Sequence, residues 1–283
     1  GYYISKTNGY MKFKKIIGIG DSWTFGEGSF LLSKEEKKLL LNAKEQTDDN
    51  VSKPYYDKCT PGSWVAQLAE MYGCDYEIKA VPGCSNETIM LQLVNILDEC
   101  TEDTLVVMMW SSKYRDRLFC LPQQNKDDTG RWLFKSEDML LDKEMHGLFT
   151  NDGNQVWRDF KKKFITEMFS DVILDYYTMC FKIYCQFLLE DKNIKYIMCN
   201  AFEAQNPKTD YENKIVPYDV LNKKYYYKPE STMFDELKNS TEKIWEGDIA
   251  FNEREYKNGL HPNYKGYKII AEKLKEFIDD IRI

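Results

Sequence analysis

The sequence predicts an α/β protein, an open and mostly parallel sheet packed between helices in three layers. Three observations carry this. Apolar, β-rich runs at Ile16-Ile17-Gly18-Ile19, Thr104 to Trp110 and Lys195 to Ala201 read as buried strands. Amphipathic helical stretches lie between and after them. Strands that alternate with helices favour a parallel sheet covered on both faces.

The first strand begins after Lys14 and Lys15 and ends where Gly20 permits a tight turn into Asp21 and Ser22. Gly62-Ser63-Trp64 opens a helix whose Trp64, Leu68 and Met71 recur at three- and four-residue spacing, and Gly73 ends it. Tyr76 to Val81 alternates and reads as the second strand. It runs into Pro82-Gly83-Cys84-Ser85-Asn86, where Ser85 or Asn86 caps a helix with Ile89, Leu93, Ile96 and Leu97 on its apolar face. Thr104 to Trp110 is apolar on both faces, as central parallel strands are. Gln155 to Leu189 is expected to be helical, with Phe160, Phe164, Met168, Val172, Leu174, Tyr177, Phe181 and Tyr184 on its inward stripe. The last helix, from Tyr264, presents Tyr267, Ile270, Leu274, Phe277 and Ile281. Residues 1–13 read as an N-terminal extension and 14–283 as one domain. Insertions near 29–58, 116–157 and 205–255 interrupt it.

Two stretches at opposite ends of the chain carry chemistry. Gly20-Asp21-Ser22 puts a serine at the C-terminal edge of the first strand, where α/β proteins place ligands. Asn258-Gly259-Leu260-His261-Pro262 puts one of only two histidines before the last helix. The same residues also suit an ordinary turn and a helix entrance. Taken together, a serine on the first strand edge and a histidine before the last helix form the order expected when the chain ends close one site.

On these residues the sequence resembles the SGNH (GDSL-type) hydrolases. Gly20-Asp21-Ser22 matches the family's first block, and Asn258-Gly259-Leu260-His261 stands where the last block has Asp-x-x-His. The resemblance implies a three-layer α/β/α sandwich with a mostly parallel, five-stranded, flavodoxin-like sheet. It implies a serine esterase acting through an acyl-enzyme, with Ser22 as nucleophile and His261 as general base. The oxyanion would be held by the N–H groups of Ser22 and Gly83. The family's third donor, an asparagine after the central strand, is replaced by Ser112, and Asn86 is a candidate to supply the missing amide. Asp21 is expected to be structural.

Asn258 takes the place of the family's carboxylate. Three arrangements follow from it. Asn258 or a backbone carbonyl orients the ring of a Ser–His dyad, or Glu255 or Glu253 moves in, or the site is degenerate. Trp110 and Arg115, at the end of the central strand, are candidate substrate contacts. Aromatics among polar residues from 116 to 157 fit a sugar-contacting rim, and equally a small satellite core. A small acyl ester, an O-acetyl group on a carbohydrate, is the expected substrate. The alternative is a catalytically silent carbohydrate-binding or scaffold protein.

Composition bounds the rest. With 283 residues the chain buries an ample core, and its net charge of −7 argues against nucleic acid or anionic membrane as the main partner. Eight cysteines show no Cys-x-x-Cys pair, and Cys180, Cys185 and Cys199 read as small buried thiols of a reducing, cytoplasmic compartment. No stretch is expected to span a bilayer, and no secretory leader is legible. Neither a metal nor a cofactor is implied by two separated histidines. The Lys-, Asn-, Ile- and Tyr-rich composition is that expected of an AT-rich source, viral or microbial.

Overall fold

The computed structural model describes residues 13–29, 57–113, 115–119, 136–140, 171–204, 214–251 and 261–283. Its strands are β1 (Lys15–Gly20), β2 (Asp75–Ala80), β3 (Thr104–Trp110), β4 (Arg115–Phe119), β5 (Ser136–Leu140) and β6 (Lys195–Asn200). Its helices are α1 (Ser22–Phe25), α2 (Trp64–Tyr72), α3 (Asn86–Ile96), α4 (Asp171–Asp191), α5 (Met233–Lys238) and α6 (Tyr264–Asp280). The main sheet is parallel throughout, in the order β2-β1-β3-β6.

The expectation of five strands is corrected to four among the described residues. Beyond β6 the chain makes only an isolated parallel bridge, Met198 to Tyr226, with Tyr227 N–H donating to Met198 O at 2.8 Å. A fifth strand would lie along that edge. The chain instead turns away through Pro229, whose ring cannot extend a ladder.

Strand alternation divides the apolar residues between two layers. Ile16, Leu105, Val107, Met109 and Ile197 face α2 and α6, meeting Trp64, Leu68, Tyr267, Ile270 and Leu274. Ile17, Ile19, Val106, Met108 and Met198 face α3 and α4, meeting Ile89, Leu93, Cys185 and Leu189. A parallel sheet covered on both faces must be apolar on both, which is why β1 and β3 show no polar alternation. Gly18 lets α2 approach closely: a Cβ there would lie 2.3 Å from Val65 Cγ2.

Local signals act as read. Ser63 and Ser85 cap α2 and α3 by accepting from Ala66 and Thr88 N–H, and Gly73 closes α2 in the left-handed region. Other expectations are revised. Tyr177 and Tyr184, assigned to the inward stripe of α4, are about half exposed; Leu174, Met179, Cys185 and Leu189 are the buried set. Residues 155–170 lie outside the described residues. The 20 residues Val172–Asp191 are long and apolar enough, by length and composition, to cross a bilayer, contrary to expectation. Of the three thiols read as buried, Cys185 and Cys199 are so, and burial pushes both thiols up; Cys180 is half-buried.

The described part of the stretch read as a late insertion, residues 214–251, contributes to the core. Tyr227, Met233, Leu237, Ile244 and Trp245 all pack with α2 and α6. Trp245 meets Trp23 edge-on with ring centroids 6.0 Å apart, directly beside Ser22. In the central insertion the described residues form an antiparallel pair, β4 with β5, registered Arg115 to Leu140 and Phe119 to Ser136.

Candidate active site

Ser22 is the first residue of α1, immediately after the C-terminal edge of β1. Asp21 makes this turn. It is fully buried, and one carboxylate oxygen accepts from Trp23 N–H at 3.0 Å as an N-cap. The other accepts from Ser111 Oγ at 2.6 Å, which ties the end of β1 to the end of β3. Charge-assisted bonds of this kind compensate the cost of burying a carboxylate. Asp21 is thus structural, as the sequence implied.

His261 reaches the same edge from the other end of the chain. Asn263 caps α6, accepting from Lys265 and Gly266 N–H. His261 and Asn263 pair backward: Glu246 N–H donates to His261 O at 3.0 Å, and Asn263 N–H to Ile244 O at 2.8 Å. His261 is therefore held by a short antiparallel frame with Ile244 to Glu246. Its Nε2 lies 3.0 Å from Ser22 Oγ in a hydrogen bond. Ser22 is nearly buried and the His261 side chain is 23% exposed. The serine is thus shielded while the histidine meets solvent.

Two carboxylates flank the ring. Glu27 Oε2 is 3.2 Å from Nε2, and Glu246 Oε2 is 3.8 Å from Nδ1. Neither was picked out in the sequence. Glu27 stands in Gly26-Glu27-Gly28, just past the serine turn, and its carbonyl accepts from Tyr267 OH at 2.6 Å. Glu246 opens a tight reversal in which Trp245 bridges Ile249 across Gly247 and Asp248. An apolar pair closing on Gly-Asp is a readable hairpin signal, and it could have located Glu246.

Gly83 lies in the turn after β2, with φ of +77°. The turn is held against β1, since Val81 N–H and Cys84 Sγ–H both donate to Gly20 O. Among the described residues neither the Ser22 nor the Gly83 N–H makes a hydrogen bond. Ser22 is the first residue of its turn, where no intrahelical acceptor exists.

Three sequence assignments are corrected. Ser112 Oγ donates to Glu203 Oε1 at 2.7 Å, so its one hydroxyl proton is engaged away from an oxyanion. Asn86 is buried, and its amide clamps the backbone of Ser111, donating to the carbonyl at 3.1 Å and accepting from the N–H at 2.8 Å. It holds the end of β3 in place of the expected donor role. Trp110 is 1% exposed and belongs to the core under α3 and α4, so it has no face for a substrate. The Arg115 side chain, Glu253, Glu255 and Asn258 lie outside the described residues.

Beside the site, between the ends of β3 and β6, lies a polar pocket lined by Ser111, Lys113, Asp175, Lys182, Glu203 and Tyr218, among others. Lys113 pairs with Asp175 at 2.8 Å. Lys182 is 3% exposed, donates to Asn200 Oδ1 at 2.9 Å and lies over the rings of Trp110 and Tyr226. Burial lowers its ammonium to about 7, against the pull of Glu203 and Asp175. Among the described residues no three His, Cys, Asp or Glu side chains are placed to hold a metal ion.

No family model and no curated protein matches the chain. Among solved structures it is similar to the psychrotrophic esterase EstA from Pseudoalteromonas sp., at 9% identity and a TM-score of 0.44, covering 94% of this chain and 97% of that one. It is also similar to a carbohydrate esterase, at 12% identity and a TM-score of 0.45, covering 96% of this chain and 66% of the other. A third is the acetyl xylan esterase Est2A from Butyrivibrio proteoclasticus, at 12% identity and a TM-score of 0.40, with coverage of 94% and 64%.

Proposed function

We propose that the protein is a serine esterase that removes a small acyl group through an acyl-enzyme. The observation that carries this is the 3.0 Å contact between Ser22 Oγ and His261 Nε2 at the C-terminal edge of the sheet. A serine hydroxyl is a weak nucleophile until a base takes its proton, and an imidazole nitrogen at hydrogen-bond distance is placed to do so.

Ser22 Oγ attacks the ester carbonyl as its proton moves to His261 Nε2. The carbonyl π electrons move to oxygen, and that oxyanion is met by the N–H groups of Ser22 and Gly83. Collapse breaks the bond to the alcohol oxygen, which leaves with the proton from His261. Water then repeats the sequence on the acyl-enzyme, giving up a proton to His261 and restoring Ser22. With Ser112 and Asn86 engaged elsewhere, the oxyanion has two backbone donors and no side-chain amide. One missing donor costs about two to three orders of magnitude in turnover, so a modest rate is expected.

The substrate in this reading is a short ester, an O-acetyl group on a carbohydrate. It is supported by the aromatic and polar composition of residues 116–157, which follow the site-edge strand β3. Hydrolysis of p-nitrophenyl acetate by the protein and by Ser22→Ala tests the reaction. Turnover abolished by Ser22→Ala supports it, and turnover unchanged by that substitution contradicts it.

The engagement of Ser112 with Glu203 favours a second reading, a carbohydrate-binding protein without catalysis. Retention of acetylated oligosaccharide together with no measurable hydrolysis would select it.

A further inference from the structure

We infer that Glu246 is the positioning residue of His261, the carboxylate that holds the proton on Nδ1 and compensates the imidazolium. This rests on the esterase reading above and assigns the role for which the sequence offered Asn258, Glu253 or Glu255.

A general base facing Ser22 through Nε2 must carry its ring proton on Nδ1, and something must favour that tautomer. Among the described residues the carboxylate on the Nδ1 side is Glu246, with Oε2 at 3.8 Å. That is an ion-pair separation, longer than a hydrogen bond. Catalytic contacts are commonly long in the free enzyme and tighten when charge develops. The backbone fixes the pair more firmly than the side chains do. Glu246 N–H donates to His261 O at 3.0 Å, and Trp245 bridges Pro262. Gly28 closes the third side: a Cβ there would lie 2.8 Å from His261 Cβ and 3.4 Å from Glu246 Cβ. The two backbones are therefore held against each other, with the Glu246 carboxylate on the Nδ1 side of the ring.

Glu27 makes the role necessary. Its Oε2 lies 3.2 Å from Nε2, the nitrogen that must stay unprotonated to receive the Ser22 proton. A carboxylate there draws the ring proton to Nε2 and so opposes catalysis in the neutral state. Glu246 on the opposite nitrogen counters that pull. After Ser22 gives up its proton, both carboxylates face an imidazolium and both stabilise it. The proton on Nδ1 stays on the ring throughout.

The test uses the whole chain with His146→Gln, which leaves His261 as the single imidazole, and 15N NMR of its neutral ring. With Glu246 present the Nδ1–H form is expected to hold a larger share than without it. In Glu246→Ala the Nε2–H share should rise. Glu246→Gln keeps the shape and loses the charge, so p-nitrophenyl acetate turnover should fall about tenfold, and about a hundredfold in Glu246→Ala, with KM nearly unchanged. An unaltered tautomer in Glu246→Ala overturns the inference. If Glu246→Ala does not fold, unchanged turnover in Glu246→Gln overturns it instead. The tautomer is read without turnover, so loss of the esterase reading and loss of this one are distinguishable.

Discussion

Ser22 Oγ and His261 Nε2 lie 3.0 Å apart although 239 residues separate them in sequence. The contact follows from placing β1 at the centre of the sheet and α6 on one face of it. Tyr267, one turn into α6, donates to the carbonyl of Glu27 at 2.6 Å, locking the serine turn to the helix that follows the histidine. The packing of first strand and last helix thus brings the pair together, and the frame with Ile244 to Glu246 holds it.

If the esterase reading holds, replacing His261 with alanine lowers p-nitrophenyl acetate turnover about a thousandfold, since in that reading the histidine is the acid and base of both half-reactions. Its side chain is partly exposed, so urea unfolding should move by less than about 1 kcal/mol. A turnover loss that tracked a large stability loss would contradict a catalytic role.

Gly28→Ala tests how tightly the site is framed. Gly28 has φ of +84°, and a Cβ would meet His261 Cβ and Pro262 O at 2.8 Å each. Both the left-handed backbone and the collision oppose the substitution. A loss of about 1–3 kcal/mol in urea unfolding is expected, together with reduced turnover. A fully active, equally stable variant would show that the frame is loose.

Asn86→Ala separates the corrected role of this residue from the one the sequence suggested. Removing the amide leaves the N–H and carbonyl of Ser111 without their clamp at a buried position. Destabilisation of about 1–3 kcal/mol is expected. Turnover loss without any stability loss would restore an oxyanion role.

Lys182 predicts a pH dependence. Its ammonium is lowered by burial to about 7 in the folded state and returns to the ordinary 10.5 on unfolding. Between those values the unfolded chain holds a proton that the folded chain lacks, so stability rises with pH across that window. Below about 7 both states are protonated and the group gives no slope. Relative to Lys182→Met, the protein should gain on the order of 1 kcal/mol per pH unit between pH 7 and 10. Parallel profiles for the two proteins would contradict a neutral buried lysine.

Much of this was legible in the sequence for identifiable reasons. Thr104–Trp110 is read to the residue, because a strand buried on both faces is an unbroken apolar run. Ser22 and His261 are found because a glycine turn and a helix entrance are local signals. What was missed depends on partners distant in sequence. Ser112 and Asn86 have the right chemistry for an oxyanion, yet Glu203 and the Ser111 backbone claim them, and only the folded chain brings those groups together. The hairpin signal around Gly247-Asp248 marks where Glu246 lies, but its pairing with His261 crosses an irregular stretch and shows only in the folded chain. Tyr177 and Tyr184 were assigned inward because tyrosine is counted as apolar, while the helix turns Met179 and Cys185 to the sheet instead.

The most direct measurement is the site of covalent labelling by a fluorophosphonate, read by peptide mass spectrometry on the protein and on His261→Ala. The esterase account predicts a single adduct on the peptide containing Ser22, formed far more slowly without His261. An unlabelled Ser22, or an adduct on another residue, would contradict it.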